Sequence, residues 1–281
     1  MAMRTGDRRA GAAAGRPMTT GVRAAEPRAV TGAPGPVPPR QLVRHAAAAL
    51  AAVLAAEGDA AADDAVSACY LDLWVCDRLL LRAGEHAPAA RHLVPVLLLD
   101  GVGGLAAVLG ERLHRADAAA TEYRRRRRLL VRAARERSPR IWEQLALRPA
   151  AIAAGEDRLA RPLTPVRHRA LPRPLAELVE RLEAERRGLA ARCARWGDDG
   201  TPDAEPDGTV LAVLAEQLAV LTAAAACLDG WHGSGPTAPG IAVQRARLCG
   251  ALYRLASRLE LPLSDRAGTA WRADVLRCAV A

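Results

Sequence analysis

Three aspartates lie within otherwise apolar sequence, where a carboxyl group could act as a general acid or base. Asp72 and Asp77 lie in CYLDLWVCDRLLL, and Asp100 lies beside a group of glycines. Burial raises the pKa of a carboxyl group, which suits it to proton transfer near neutral pH. The opposite interpretation is that each carboxylate pairs with an arginine near it in sequence. These arginines are Arg78, Arg82 and Arg91. The arginine-rich composition favours ion pairing, and we assign no catalytic residue.

A glycine-rich segment, LVPVLLLDGVGGLAAVLGERL at 93–113, fits two mutually exclusive structures. Gly101, Gly103 and Ala106 fit the G-x-G-x-x-G/A pattern of a dinucleotide-binding strand, turn and helix. That fingerprint needs a preceding strand, which Pro95 opposes, and an acidic residue at the end of a second strand about 20 residues later. The sequence there reads AAATEYRRRRRLL, which is helical and basic. We therefore favour the second structure.

In the second structure the glycines belong to one buried helix. Gly101, Gly104 and Ala107 recur on a single helical face, where small residues let a neighbouring backbone approach closely. Each glycine lowers helix propensity by about 1 kcal/mol, a cost that close packing offsets. The segment then has a structural role.

Five consecutive arginines, Arg124–Arg128, could bind an anionic ligand such as a pyrophosphate, because guanidinium groups bind phosphate at two points. Five helical residues span about 500° of rotation, however, so they cannot all line one groove. Acidic residues that could pair with the run lie on both sides of it. They are Asp117, Glu122, Glu136 and Glu143. We favour a solvated, ion-paired helix surface and keep an anion site as the alternative.

The histidines and cysteines show no metal-ligand spacing, so we predict no metal site. The histidines are His45, His86, His92, His114, His168 and His232. The cysteines are Cys69, Cys76, Cys193, Cys227, Cys249 and Cys278. Each cysteine has apolar helical neighbours and none forms a C-x-x-C pair, which predicts reduced, buried thiols in a cytoplasmic protein.

The elements that position these residues are helices, because strand-like alternation is almost absent and apolar residues recur at helical spacing. We predict an all-α multi-helix bundle at 40–281 after a disordered Gly/Pro/Arg tail at 1–39. The bundle could comprise two packed sub-bundles, 40–155 and 173–281. The predicted helices span 40–57, 60–84, 88–116, 117–137, 139–154, 173–196, 208–232, 241–260 and 265–279.

The formal charge of +9 would ordinarily suggest a nucleic-acid partner. All 40 basic residues are arginine, however, and lysine, asparagine and phenylalanine are absent, a bias that a GC-rich bacterial genome explains. We therefore expect no nucleic-acid partner. Two long apolar stretches, 93–110 and 210–228, are interrupted by Asp100 and Glu216. A carboxylate at the centre of a span costs roughly 3 kcal/mol, so we expect no membrane span.

The order of helices resembles the C-terminal helical half of acyl-CoA dehydrogenases. The resemblance rests on CYLDLWVCDRLLLRA, HLVPVLLLDGVGGLAAVLG, PLAELVERLEAERRGLAARC and TVLAVLAEQLAVLTAAAACLDGW, and covers roughly 190 residues. It implies a helical bundle that packs against a flavin-holding half, FAD as cofactor, and an acyl thioester as substrate. Arg40 and Gln41 form the only adjacent Arg–Gln pair near the first helix, matching residue types that touch flavin in that family.

The chain also departs from that family. No β-domain precedes the bundle, and the Tyr-Glu-Gly-Thr sequence that carries the family's catalytic glutamate has no counterpart. The resemblance thus implies a degenerate subunit, or part of a split flavoenzyme completed by a flavin-bearing partner subunit or by a homo-oligomer. The alternative is a non-enzymatic helical interaction module, which predicts a large exposed apolar patch and no buried polar pocket. A dinucleotide-binding protein that uses Gly101, Gly103 and Ala106 is a third, weaker hypothesis.

Overall fold

Alanine, leucine and arginine, all strong helix formers, dominate the chain after Pro39 and produce helices throughout its described part. The computed structural model describes residues 37–57, 64–84, 87–115, 117–135, 163, 171–198, 208–232, 240–263 and 275. These residues contain seven α-helices and one short 3₁₀ helix, with no strand among them. The predicted all-α class is confirmed.

The α-helices follow the predicted spans closely. We number them α1 (Pro39–Glu57), α2 (Asp64–Ala83), α3 (Pro88–Leu109), α4 (Ala118–Arg135), α5 (Arg173–Asp198), α6 (Gly208–His232) and α7 (Ile241–Arg258). The helices predicted at 139–154 and 265–279 lie outside the described residues, apart from Val275, which is helical. The tail predicted at 1–39 also lies outside them, except for Val37 and Pro38, which are described, and Pro39, which begins α1.

The largest difference from the predicted boundaries is at the end of α3, which stops at Leu109 instead of continuing to 116. Gly110 has a φ of 47°, in the left-handed region that glycine tolerates, and a 3₁₀ helix follows over Gly110–His114. Asp117 then caps α4, since its Oδ1 accepts the N–H of Ala120 at 2.8 Å. Glycine thus ends the first of the two predicted helices early, and aspartate begins the second within one residue of its predicted start.

The helices α2 and α3 lie at the centre of the bundle and pack against each other more extensively than any other pair. On one side α1 and α4 cover α3, and on the other side α6 contacts both central helices while α7 contacts α2. The described helices belong to one compact unit. The central pair carries most of the residues singled out in the sequence.

Of the α3 glycines, Gly101 allows the close contact between α3 and α2, whereas Gly103 and Gly104 have room for a Cβ atom. A Cβ atom on Gly101 would lie 2.8 Å from Oδ2 of Asp72 and 3.2 Å from the Cα of Cys69, and one on Gly104 would lie 3.5 Å from the Cβ of Ala65. Ala107, further along the same face, is exposed. The helical interpretation of this segment is confirmed. The strand, turn and helix that a dinucleotide fingerprint needs are not formed, because Gly101, Gly103 and Ala106 lie inside one helix.

Two segments are long and apolar enough to cross a membrane by length and composition alone. They are Pro88–His114, which contains α3, and Ala212–Trp231, within α6. About half of each apolar window, 50% and 56%, is buried inside the bundle. Buried core helices of globular proteins have the same length and composition, and our expectation of no membrane span stays a prediction.

Candidate functional site

Charged residues on α2, α3 and α7 surround a cleft of about 610 Å³, which we call the polar cleft. Its polar lining consists of Asp64, Ser67, Asp100, Tyr253, Arg254, Ser257 and Arg258. Four of these residues lie on α7, where helical spacing places Arg254 and Arg258 one turn apart. The cleft is the place where the acids of the central helices meet the arginines of α7.

Asp72 lies beneath this cleft and is 1% exposed. Arg254 donates two hydrogen bonds to it, from Nε to Oδ1 at 2.8 Å and from Nη2 to Oδ2 at 2.5 Å. Burial raises the pKa of Asp72, and the charge and hydrogen bonds of Arg254 oppose that rise. Burial would lower the pKa of Arg254, but Asp72 outweighs it and the net effect raises that pKa. We infer an ionised pair, in which the carboxylate is already engaged.

Asp100 forms a second ion pair at the rim of the same cleft. Its Oδ2 accepts a hydrogen bond from Nη2 of Arg258, and its side chain is 53% exposed. Because Asp100 precedes the glycine that approaches Asp72, the two acids and two arginines form adjacent pairs that hold α7 against α2 and α3. Asp77, the third candidate acid, is exposed and does not line the cleft.

Asp72 and Asp100 pair with arginines as predicted, but not with the arginines near them in sequence, and Asp77 forms no ion pair with a described residue. None of Arg78, Arg82 and Arg91 bonds to Asp72 or Asp100; Arg82 instead pairs with Asp229 at 2.6 Å. Six residues along a helix turn the chain about 600°, so Arg78 projects roughly 120° away from Asp72. Its guanidinium lies over the ring of Trp74, 5.3 Å from the centroid.

A second cleft, of about 650 Å³, lies where α1 packs against α4. We call it the basic cleft. Its lining consists of Pro38, Arg40, Gln41, Arg44, His45, Ala48 and Arg126. It therefore brings Arg40 and Gln41 next to the middle arginine of the Arg124–Arg128 run.

Arg126 is fixed in the basic cleft by two neighbours. Its Nη1 lies 2.6 Å from Nδ1 of His45, its Nε donates to Oε1 of Glu122 at 2.6 Å, and its Nη2 lies 2.5 Å from the same oxygen in an ion pair. Because the guanidinium can only donate, Nδ1 of His45 accepts. Burial and the charges of Arg126 and Arg125 lower the pKa of His45, which favours its neutral form.

Within the arginine run, only Arg125 and Arg126 lie in ion-pair contact with a predicted partner among the described residues, while Arg124 and Arg128 donate to backbone carbonyl oxygens. Glu122 pairs with Arg126 and lies 3.9 Å from Arg125. Asp117 does not pair with the run: it accepts a hydrogen bond from Nε of Arg112 at 2.9 Å and caps α4. The other two predicted partners, at positions 136 and 143, lie outside the described residues.

A buried histidine and a glutamate form a polar contact that sequence reasoning missed. Nε2 of His92, on α3, lies 2.6 Å from Oε2 of Glu216, on α6. The side chain of His92 is 4% exposed and that of Glu216 is 34% exposed. Both residues interrupt apolar runs of helices that pack together, and that pattern could have paired them.

Sequence reasoning also missed Arg254 and Arg258, although a signal was present. The two arginines lie four residues apart in ALYRLASRLE, an apolar helix, so one helical face carries two cations that need partners. Among the residues that the structure covers, no three His, Cys, Asp or Glu side chains are grouped so as to hold a metal ion. The five described cysteines are free thiols, four of them buried.

Comparisons of the chain with protein-family models, with curated proteins and with solved structures found no match. The resemblance to acyl-CoA dehydrogenases therefore stays a prediction from the sequence.

Proposed function

We propose that the protein is an acyl-CoA dehydrogenase-like helical subunit that contributes to a flavin and acyl-thioester site without supplying the catalytic base. The proposal combines the family resemblance of the sequence with the state of the carboxylates in the bundle. A partner chain, either a flavin-bearing subunit or a second copy, completes the site. The protein acts in the cytoplasm.

One observation carries this proposal: the carboxylates of Asp72 and Asp100 are both held by guanidinium groups that line the polar cleft. Asp72 has two hydrogen bonds from Arg254, and Asp100 has one from Arg258. Removal of a proton next to a thioester carbonyl needs a free base within hydrogen-bond reach of that proton. An engaged carboxylate is a poor base, which supports a subunit that binds and positions rather than one that reacts alone.

Two binding measurements on the purified chain test the proposal. The chain is mixed with excess FAD, desalted, and examined for the visible flavin band; separately, octanoyl-CoA is titrated calorimetrically. We expect saturable binding of at least one of the two. We also expect no bleaching of bound flavin when octanoyl-CoA is added without oxygen, because in this proposal the chain does not supply the base. Binding of neither would overturn the proposal, and bleaching by the chain alone would overturn its catalytic part.

The alternative function is a non-enzymatic interaction module, which predicts a large exposed apolar patch. Only three large hydrophobic side chains in the described part are strongly exposed, namely Leu81, Val210 and Val213. The same part contains two clefts lined by charged groups. A small number of exposed apolar residues together with polar clefts favours ligand binding over an interaction module.

A further inference from the structure

Three guanidinium groups from two helices meet in the basic cleft. Arg40 and Arg44 lie one turn apart on α1, and Arg126 reaches the same cleft from α4. Planar guanidinium groups bind phosphate oxygens at two points, and they do so most strongly where several converge. Convergence of arginines from separate helices differs from a charged helix surface, on which neighbouring side chains point apart.

The donors of the cleft are only partly used within the protein. A guanidinium carries five N–H groups, and Arg126 directs one from Nε to Glu122 and one from Nη1 to His45, while its Nη2 lies in ion-pair contact with Glu122. Donors therefore remain, on a side chain whose position those contacts already fix. Arg44 is exposed and makes no ion pair with any residue in the described part of the chain.

The charges around the cleft sum to a positive potential. Glu122 offsets Arg126, and Arg44 adds a positive charge that has no ion pair in the described part of the chain. The lowered pKa of His45, caused by burial and by Arg126 and Arg125, favours the neutral imidazole. The helix α1 begins at Pro39, beside the cleft, and the first turn of a helix carries partial positive charge. An anion with more than one negative charge suits this environment.

We propose that the basic cleft binds a small phosphate-bearing anion of the pyrophosphate class, held between Arg40 and Arg44 of α1 and Arg126 of α4. The cleft volume of about 650 Å³ is that of a small-molecule site. A nucleic acid fits less well, because the flanking arginines do not extend the cleft. Arg124 donates to the carbonyl of Leu113, and Arg128 to the carbonyl of Arg124 at 3.3 Å.

The test is calorimetric titration of the full chain with inorganic pyrophosphate at low salt. We expect saturable binding at one site per chain, and a loss of about tenfold or more in affinity for Arg44→Gln, since a hydrogen bond to a charged group is removed. Arg127→Gln is the matched control. It removes one exposed arginine from the neighbouring position of α4, outside the cleft, and should change the affinity by less than about twofold.

A second variant, Arg126→Gln, tests the α4 side of the cleft. This substitution also removes the bonds to Glu122 and His45, so circular dichroism is recorded to check that the variant is folded. If the variant is unfolded, the result for Arg44→Gln decides the proposal. Absence of pyrophosphate binding by the wild-type chain would overturn the proposal. An equal loss in Arg127→Gln would also overturn it, because binding would then follow net charge.

Further titrations identify the source of the phosphate. Binding of ADP more tightly than pyrophosphate supports an organic diphosphate as the ligand, and the reverse order supports an inorganic one. A short RNA that binds more tightly than both, and that loses affinity equally in Arg44→Gln and Arg127→Gln, would overturn the small-anion proposal.

The inference does not rest on the proposed function, and the two fail separately. Inorganic pyrophosphate has neither flavin nor thioester. Pyrophosphate binding without retention of FAD or octanoyl-CoA would support the basic cleft and overturn the dehydrogenase-like proposal. Retention of either ligand without pyrophosphate binding would do the opposite.

Discussion

Asp72 and Arg254 form a two-point ion pair across the bundle although 182 residues separate them in the chain. Asp72 is 1% exposed, so it has lost almost all of its hydration, and the guanidinium of Arg254 compensates for that loss. The same helix α7 pairs with α3 through Arg258 and Asp100. The position of α7 against the central helices therefore depends on charge as well as on apolar packing.

Replacement of either member of the buried pair should destabilise the protein strongly. Asp72→Ala or Arg254→Ala leaves an unpaired charge, with an expected loss of about 3–5 kcal/mol in the free energy of unfolding. The double variant Asp72→Leu/Arg254→Met removes both charges. Its free energy of unfolding should therefore fall by less than the sum of the losses in the two single variants. Denaturant unfolding measures all three. Asp100→Ala, at a half-exposed pair, should cost about 1 kcal/mol or less. A change of similar size in Asp72→Ala would contradict the assignment.

Two glycines of α3 should respond to alanine in opposite directions. A Cβ on Gly101 would meet Oδ2 of Asp72 at 2.8 Å, whereas one on Gly103 meets nothing within 4 Å. Gly101→Ala should lower the free energy of unfolding by about 1–3 kcal/mol through overpacking. Gly103→Ala should raise it by up to about 1 kcal/mol through helix propensity. Thermal unfolding compares the two, and a shift of the same sign in both would show that α2 and α3 are further apart.

Protonation of His45 should lower the free energy of unfolding as the pH falls below about 6.5. Burial, together with Arg126 and Arg125, lowers its pKa from 6.5, while Glu122 opposes the shift. In the unfolded chain the imidazole takes up a proton near 6.5, so below that pH the unfolded state binds more protons than the folded state. The loss of stability continues until the pH reaches the lowered pKa that His45 has in the folded protein.

Denaturant unfolding across this range checks the prediction for His45. The wild-type protein should lose more stability than His45→Gln between about pH 7 and about pH 5, because glutamine offers Arg126 an acceptor and does not titrate there. Parallel curves for the two proteins would mean that the histidine is freely hydrated.

The cysteines should react only slowly with alkylating reagents in the folded protein. Cys69, Cys76 and Cys227 are buried, and burial raises the pKa of each thiol, so little thiolate is available. In a Cys278→Ser background, Cys249, which is half-buried, should be labelled before those three. Mass spectrometry of the labelled peptides gives the order, and rapid native labelling of Cys76 would contradict the packing of α2.

Much of the helical pattern is predictable because the residues close to each helix end determine where the helix begins and ends. The span 208–232 matches α6 in full, and 241–260 matches the start of α7. The end of α3 was predicted too late because of Gly110, since an apolar run that contains one glycine also fits the pattern of a continuous helix. Its positive φ arises from the way the chain turns towards α4, which no local pattern records.

The candidate site was less predictable because its partners meet only in the tertiary structure. Burial of Asp72 and its need for a cation follow from its apolar neighbours, but the choice of Arg254 over Arg78 depends on which face of α2 meets α7. The basic cleft likewise joins Arg44 and Arg126, which belong to separate helices. Helical spacing places side chains on faces, and helix packing decides which faces meet.

The distance in sequence between Asp72 and Arg254 also has a consequence for synthesis on the ribosome. At about 5–20 residues per second, the 182 residues between them take roughly 10–40 s to translate. During that time α2 and α3 are complete while the counter-charge of Asp72 has not yet been made. A stalled nascent chain that ends before α7 should be cut by protease within α2, and one that includes α7 should resist. We therefore expect the central helices to keep Asp72 in water during translation and to reach their native packing after α7 has emerged.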